Sequence, residues 1–244
     1  KKDQLISSML LQKIHERLAA DEQVILLQNR RGYAPVMRCL DCGVIMECQH
    51  CRLPLTYHKK GVKLECHCCK FIKPKIPDQC PECQSTELSL FGIGTQKVEE
   101  FLEHSFPEAN ISRIDTDTVK GGRSLTTQLK KFAKKDIDIL IGTQMIAKGL
   151  DFEDVTLVGV INADTGLYLP DFRSGERVFQ LIYQAAGRAG RHKKPGEVVI
   201  QSYQPGNPVI KCASNLDLKK YYNIALSERK TLNYSPFSWM CRVE

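Results

Sequence analysis

Two sets of residues in this 244-residue chain have the types and spacing to do chemistry. The first is Gln184-Ala-Ala-Gly-Arg-Ala-Gly-Arg191, with two arginines three residues apart among small residues. Gly187, Ala189 and Gly190 remove bulk, so a ligand or another backbone can come close. Planar guanidinium forks match phosphate oxygens, and arginines presented this way stabilise the charge that develops in phosphoryl transfer. The second set is cysteine: Cys39/Cys42, Cys48/Cys51, Cys66/Cys69 and Cys80/Cys83 form four Cys-x-x-Cys pairs.

A Cys-x-x-Cys turn puts two sulfurs one Zn–S bond, about 2.3 Å, from a shared metal, and two such turns complete a tetrahedron. Four pairs therefore imply two structural Zn²⁺ ions. Closed four-thiolate sites leave no position for water, so these metals fold the segment rather than catalyse. With no secretory signal, the cysteines point to metal in a reducing compartment rather than to disulfides. Pairing can be nested or cross-braced. Nested pairing joins Cys39, Cys42, Cys80 and Cys83 on one ion and Cys48, Cys51, Cys66 and Cys69 on the other. It is preferred for its shorter inner loop, since 14 residues separate Cys51 from Cys66. His50, His58, His67 and Cys68 lie among these ligands and could replace a thiolate, but four complete pairs make that unnecessary. Tyr57, His58, Lys59, Lys60, Lys63, Lys70, Phe71 and Lys73 mix bases with aromatics, which suits DNA or a protein partner.

Composition sets wide bounds. The apolar fraction is 42%, ordinary for a globular protein, and no run approaches the roughly 18 apolar residues of a membrane span. The chain opens Lys1-Lys2, which suggests a piece of a longer protein. The formal charge of +7 is compatible with nucleic acid. Two four-thiolate sites, each of net charge −2 with its Zn²⁺, would lower it to +3.

The elements that position these residues alternate between strand and helix. Residues 3–22 read as an amphipathic helix on Leu5, Ile6, Met9, Leu10, Ile14 and Leu18, with Asp3 as candidate N-cap. Val24 to Leu27 is a strand leading to Asn29, Arg30 and Arg31. After the cysteine segment the pattern resumes at Leu88, with a helix that Thr95 can cap and Pro107 stops. Ile111 to Ile114 is a strand, 124–135 a helix, and Ile137 to Ile141 a buried strand that turns out at Gly142 and Thr143. Gly149 and Asp151 follow within Ile141-Gly-Thr-Gln-Met-Ile-Ala-Lys-Gly-Leu-Asp-Phe152. Val155 to Ile161 is a strand and Asn162 to Arg173 a long loop, where function concentrates in open α/β sheets. A helix then carries Gln184 to Arg191, strand Glu197 to Tyr203 follows, and a helical tail begins at Asn207. The fold class is α/β: an open, mostly parallel sheet with helices on both faces and a small inserted domain.

The segments 141–152 and 184–191 resemble motifs V and VI of superfamily 2 nucleic-acid helicases. Asn29-Arg-Arg-Gly-Tyr-Ala-Pro35, the eight-cysteine insertion, Gly94-Thr-Gln-Lys-Val-Glu-Glu100 and Arg113-Ile-Asp-Thr-Asp117 narrow the resemblance. So do Gly142-Thr-Gln-Met-Ile-Ala-Lys-Gly149 and Leu169-Pro-Asp-Phe-Arg173. Together they resemble the PriA family of primosomal replication-restart helicases, over nearly the whole chain. Tyr234-Ser-Pro-Phe237 departs from that family's Tyr-Pro-Pro-Phe, and Lys148-Gly-Leu-Asp-Phe152 from its Lys-Gly-His-His-Phe form.

The resemblance implies a RecA-like second helicase lobe. Residues 1–38 and 88–205 would be the lobe, 39–87 a two-zinc insertion with nested pairing, and 206–244 a linker helix and the start of a C-terminal domain. It implies an ATP-dependent 3′→5′ DNA helicase that recognises stalled or repaired forks and restarts replication. Gln184, Arg188 and Arg191 would act on ATP, Gly149 and Asp151 would couple to nucleotide, and Asn29, Arg30, Arg31 and Thr143 would contact DNA. ATP and Mg²⁺ would be held by another lobe, because no Gly-x-x-x-x-Gly-Lys-Ser/Thr loop occurs here. The implied partners are forked or single-stranded DNA, primosome and helicase-loading proteins, and single-stranded DNA-binding protein. The implied setting is bacterial cytoplasm at the nucleoid, without membrane. A zinc-dependent binding module, or another superfamily 2 DNA or RNA helicase, are the rival readings.

Overall fold

A computed structural model describes residues 5–28, 36–50, 54–58, 61–66, 69–91, 95–114, 122–143, 146, 152–169, 171–187 and 195–241. Chain order begins with α1 (Ser8–Ala19) and β1 (Gln23–Gln28). The cysteine segment holds β2 (Val36–Cys39), β3 (Thr56–His58), β4 (Lys63–Glu65), β5 (Ile72–Lys73) and β6 (Leu88–Phe91). Then come α2 (Thr95–Ser105), β7 (Ile111–Ile114), α3 (Gly122–Ala133), β8 (Ile139–Gly142) and β9 (Val155–Ile161). A 3-10 helix (Ala163–Tyr168) precedes α4 (Ser174–Ala186), β10 (Glu197–Ile200), α5 (Pro208–Ser214) and α6 (Leu218–Thr231).

The strands fall into two five-stranded sheets. The first has order β10-β9-β1-β8-β7, and every pairing in it is parallel. Its strands are near-continuous apolar runs because both faces are covered. Val24, Leu26, Ile139, Ile141 and Leu157 face one way, onto α1 and α2 through Leu10, Ile14, Val98 and Leu102. Ile25, Leu27, Leu140, Val158 and Val160 face the other, onto Phe132, Val178, Phe179, Ile182 and Ile210. Two glutamine amides tie helices to this sheet. Gln23 Nε2 donates to the Phe132 and Ile137 carbonyls, both at 2.7 Å. Gln201 Oε1 accepts from the Ser7 amide, and its Nε2 donates to the Leu5 carbonyl.

The second sheet is antiparallel, order β5-β4-β3-β2-β6. Strands at 36–39 and 88–91, at the two edges of the cysteine segment, thus pair with each other: Val36 faces Phe91 and Cys39 faces Leu88. Neither joins the parallel sheet. Arg38 on this stem lies with its guanidinium carbon 3.5 Å above the Tyr203 ring, which links the small sheet to the end of β10.

Three local readings change. The first helix starts at Ser8, capped by Ser7, whose hydroxyl accepts the Leu10 amide; Asp3 lies outside the described residues. Thr95 is the first helical residue of α2 rather than its cap, and its hydroxyl accepts a bond from Arg113. The segment after β9 is a buried helical turn rather than an open loop. Asp164 is 1% exposed and accepts from Ser202 Oγ and from the Tyr203 and Gln204 amides.

Candidate metal centre and sheet-edge site

Three of the Cys-x-x-Cys turns share one backbone pattern. The first cysteine donates its amide to the carbonyl five residues on: Cys39 to Val44, Cys66 to Phe71, Cys80 to Ser85. Its carbonyl accepts the amide four residues on, from Gly43, Lys70 and Gln84. All three of these donor residues have positive φ, at 78°, 62° and 60°. In the three pairs with both cysteines described, the first is buried and the second is exposed at the rim.

These turns bring the sulfurs together. Cys39, Cys42, Cys80 and Cys83 have all four sulfurs within 4.8 Å of one another. Cys39 Sγ lies 3.6 Å from Cys83 Sγ, and Cys42 Sγ 3.5 Å from Cys80 Sγ. A disulfide needs about 2.05 Å. A regular tetrahedron with 2.3 Å metal–sulfur bonds needs about 3.8 Å between sulfurs. The observed spacing fits shared coordination. Cys48, Cys66 and Cys69 form a second group, with Cys48 and Cys69 sulfurs 3.6 Å apart. Cys51, expected as its fourth member, lies outside the described residues, as do His67 and Cys68.

Electrostatics at the first group also fits a cation. The Cys42 amide aimed at Cys39 pulls that thiol down to about 6. Cys42 is pushed up to about 12. The Val44 amide favours its thiolate, but burial and the sulfurs of Cys83, Cys80 and Cys39 outweigh that. Cys83 is raised in the same way, against the Ser85 amide. Thiolates packed this closely repel one another, and a bound cation would offset that repulsion. The donor set is all sulfur, the chemistry of a soft or borderline ion.

The strands β1 and β8, which lead towards Asn29 and to Thr143, end side by side at the carboxyl edge of the parallel sheet, where open α/β sheets bind ligands. Gln28 ends β1, directly before Asn29, Arg30 and Arg31. The register sets Gln28 against Ile161 on one side, and Leu27 against Gly142 on the other, so Thr143 lies level with Gln28. Gly142 has no room for a side chain: a Cβ there would come within 2.7 Å of the Ile114 carbonyl oxygen. Thr143 is 4% exposed, and its hydroxyl has no hydrogen-bond partner in the described fold. Gln184 sits in the last turn of α4, which ends at Gly187, one residue before Arg188. Asn29, Arg30, Arg31, Gly149, Asp151, Arg188 and Arg191 lie outside the described residues. Asn162, next to β9, was absent from the sequence-based candidates. It is 2% exposed in the left-handed region, and its amide has no partner among the described residues. Only its place after a long apolar strand could have singled it out.

The helicase conserved C-terminal domain family matches residues 82–193. The replication restart protein PriA of Bacillus subtilis (strain 168) is 44% identical over 98% of the chain. This is a fragment of the PriA family. The PriA of Chlamydia pneumoniae is 45% identical over a similar stretch, again 98% of the chain. The chain spans about a third of the length of these curated relatives, 30% and 32%. The solved Pyrococcus furiosus Hef helicase domain overlays 88% of the chain and 27% of its own at a TM-score of 0.38 and 18% identity. The parallel sheet is thus a RecA-like helicase lobe of a PriA-family chain, and the cysteine sheet is its insertion. Among the described residues no helix is long and apolar enough to cross a membrane.

Proposed function

We propose that the chain is the second lobe of an ATP-dependent 3′→5′ DNA helicase that restarts replication at stalled or repaired forks. The observation that carries this is the PriA-family similarity along 98% of the chain. Arg188 and Arg191, with Gln184, act on the γ-phosphate of ATP–Mg²⁺ held by another lobe of the complete protein. Gly149 and Asp151 couple that event to nucleotide state. Asn29, Arg30, Arg31 and Thr143 hold the strand backbone, where contacts are sequence-independent. What supports these roles is the placement of both approach strands, β1 and β8, side by side at one sheet edge. The two sulfur groups hold Zn²⁺, whose bonds to thiolate fold the insertion, with Cys51 completing the second set. We place the insertion's boundaries at its paired stem, 36 to 91, slightly outside the span 39–87. Primosome proteins and single-stranded DNA-binding protein are its partners, in the bacterial cytoplasm at the nucleoid.

The test is Arg188→Ala in the complete helicase, read as DNA-stimulated ATP turnover. A fall of ~10³-fold or more is expected from the weight of an arginine finger. Turnover within a few-fold of the parent would remove Arg188 from that role.

A further inference from the structure

Between α4 and α6 lies an open cleft of about 90 Å³, which shares Gln184 with the roles above. Its walls are Phe179, Tyr183 and Gln184 from α4 and Leu218, Tyr221 and Tyr222 from α6. The aromatic rings form a ladder. Phe179 and Tyr221 stack at 4.2 Å and 13°, and Phe179 and Tyr183 at 5.8 Å and 21°. Tyr222 stands beyond Tyr221 at 6.1 Å with its ring tilted 44°, so it closes the row at an angle rather than as a stacked rung. The inner rungs are buried, Phe179 at 2% and Tyr221 at 4% exposure. The outer rings are open, Tyr183 at 43% and Tyr222 at 52%. A packed floor with two half-exposed rings gives a flat guest π-faces that need no rearrangement.

The rim chemistry selects the guest. Glu176, the carboxylate at the cleft, is neutralised by Arg229 at 2.6 Å, so it does not repel an anion. Its other oxygen takes a bond from Gln180 Nε2. The Gln180 and Gln184 amides lie along one edge, where they can meet the polar edge of a heterocycle. Exposed Lys219 flanks Tyr222 on α6, where a phosphate attached to that heterocycle would pass. An aliphatic peptide side chain would use neither the stacked faces nor the lysine. A nucleobase on its sugar–phosphate backbone uses both.

We propose that this cleft is a base-stacking site that takes one base of a single-stranded nucleic acid, outside the sheet-edge contacts. The proposal rests on the nucleic-acid reading of the lobe and adds a second point of attachment beside the helix that carries Gln184.

The test uses the zinc-loaded 244-residue chain and a fluorescein-labelled oligo-dT strand, with binding read by anisotropy across a salt series. Tyr222→Ser and Tyr183→Ser are each expected to weaken binding about 10-fold, the weight of one lost base stack. Stacking releases no counterions, so the salt slope stays unchanged, whereas Lys219→Ala lowers it by about one phosphate's worth. Tyr222→Phe restores binding. A strand of the same length made of abasic sites binds the parent more weakly, and the serine variants weaken it no further. Serine variants that bind within two-fold of the parent overturn the proposal, as does an equal loss on the abasic strand. Unchanged strand binding with a weakened hold on a protein partner of the complete helicase would assign the cleft to a polypeptide and overturn it too. Failure of the parent chain to bind any strand would overturn the nucleic-acid reading itself, a result distinct from failure at the cleft.

Discussion

The lobe and its insertion each contain a five-stranded sheet, and opposite physics holds them. The parallel sheet buries side chains on both faces, with aliphatic clusters built from six helices and five strands. The antiparallel sheet has one small cluster: Met37, Met46, Leu55, Leu64 and the cysteines at 39, 48, 66 and 80. Half of that cluster is cysteine from the two candidate metal groups. Strands of two to four residues with one thin core cannot offset the entropy of ordering roughly fifty residues. Burial holds the lobe; coordination of the proposed zinc ions would hold the insertion.

The largest expected effect comes from removing metal. Structural zinc contributes roughly 10–16 kcal/mol of apparent binding free energy at neutral pH, more than any cluster this small can replace. A strong chelator under reducing conditions should abolish amide-exchange protection from residues 36 to 91. Protection in β1, β8 and β9 should persist. Loss of protection in both sheets together would break the comparison and make the metal part of the lobe's own stability. Contact between Arg38 and the Tyr203 ring is a path by which such coupling would start.

The converse experiment has a smaller effect. Leu140 is fully buried in β8, facing the α3 and α4 side. Leu140→Ala should cost about 2–5 kcal/mol, the usual sum of lost transfer energy and cavity. Denaturant unfolding monitored by helix signal should shift accordingly, while the two-metal content of the folded fraction stays the same. A variant that loses metal in step with helix signal would show one cooperative unit rather than two.

This contrast also explains what could be read before any coordinates. Apolar runs such as Val24 to Leu27 and Val155 to Ile161 announce buried parallel strands by themselves, and four regular cysteine pairs announce a metal framework. The paired stem of β2 and β6 is illegible because its strands are short and some fifty residues apart. Nothing in Leu88-Ser-Leu-Phe91 says which sheet it joins. The turn at Asn162 was read as a loop because Asn, Asp and Gly suit loops. Its burial depends on Asp164 finding the Tyr203 and Gln204 amides from another strand's end. The aromatic cleft is hidden for the same reason: Phe179 and Tyr183 look like a helix stripe, and Tyr221 and Tyr222 like another. Only the packing of α6 on α4 turns two stripes into one ladder.

The smallest effect lies inside the metal turns and sharpens the claim that coordination bears their cost. Gly43, Lys70 and Gln84 occupy the same place in three turns, all with positive φ. Glycine takes that conformation freely, whereas an L-residue with a side chain loses about 1–2 kcal/mol there. Lys70 and Gln84 therefore hold their turns under strain that Gly43 does not. Glycine gives back part of the gain as extra freedom in the unfolded chain, about 0.5–1 kcal/mol. Lys70→Gly and Gln84→Gly should each leave a net gain of about 0.5–1 kcal/mol. Read as competition with a chelating dye, that is a several-fold tighter hold on zinc. Gly43→Ala should move the other way by a similar amount. Equal affinities across all three variants would mean the turns keep their shape without metal, and would shift the source of the insertion's stability from the ions to its backbone.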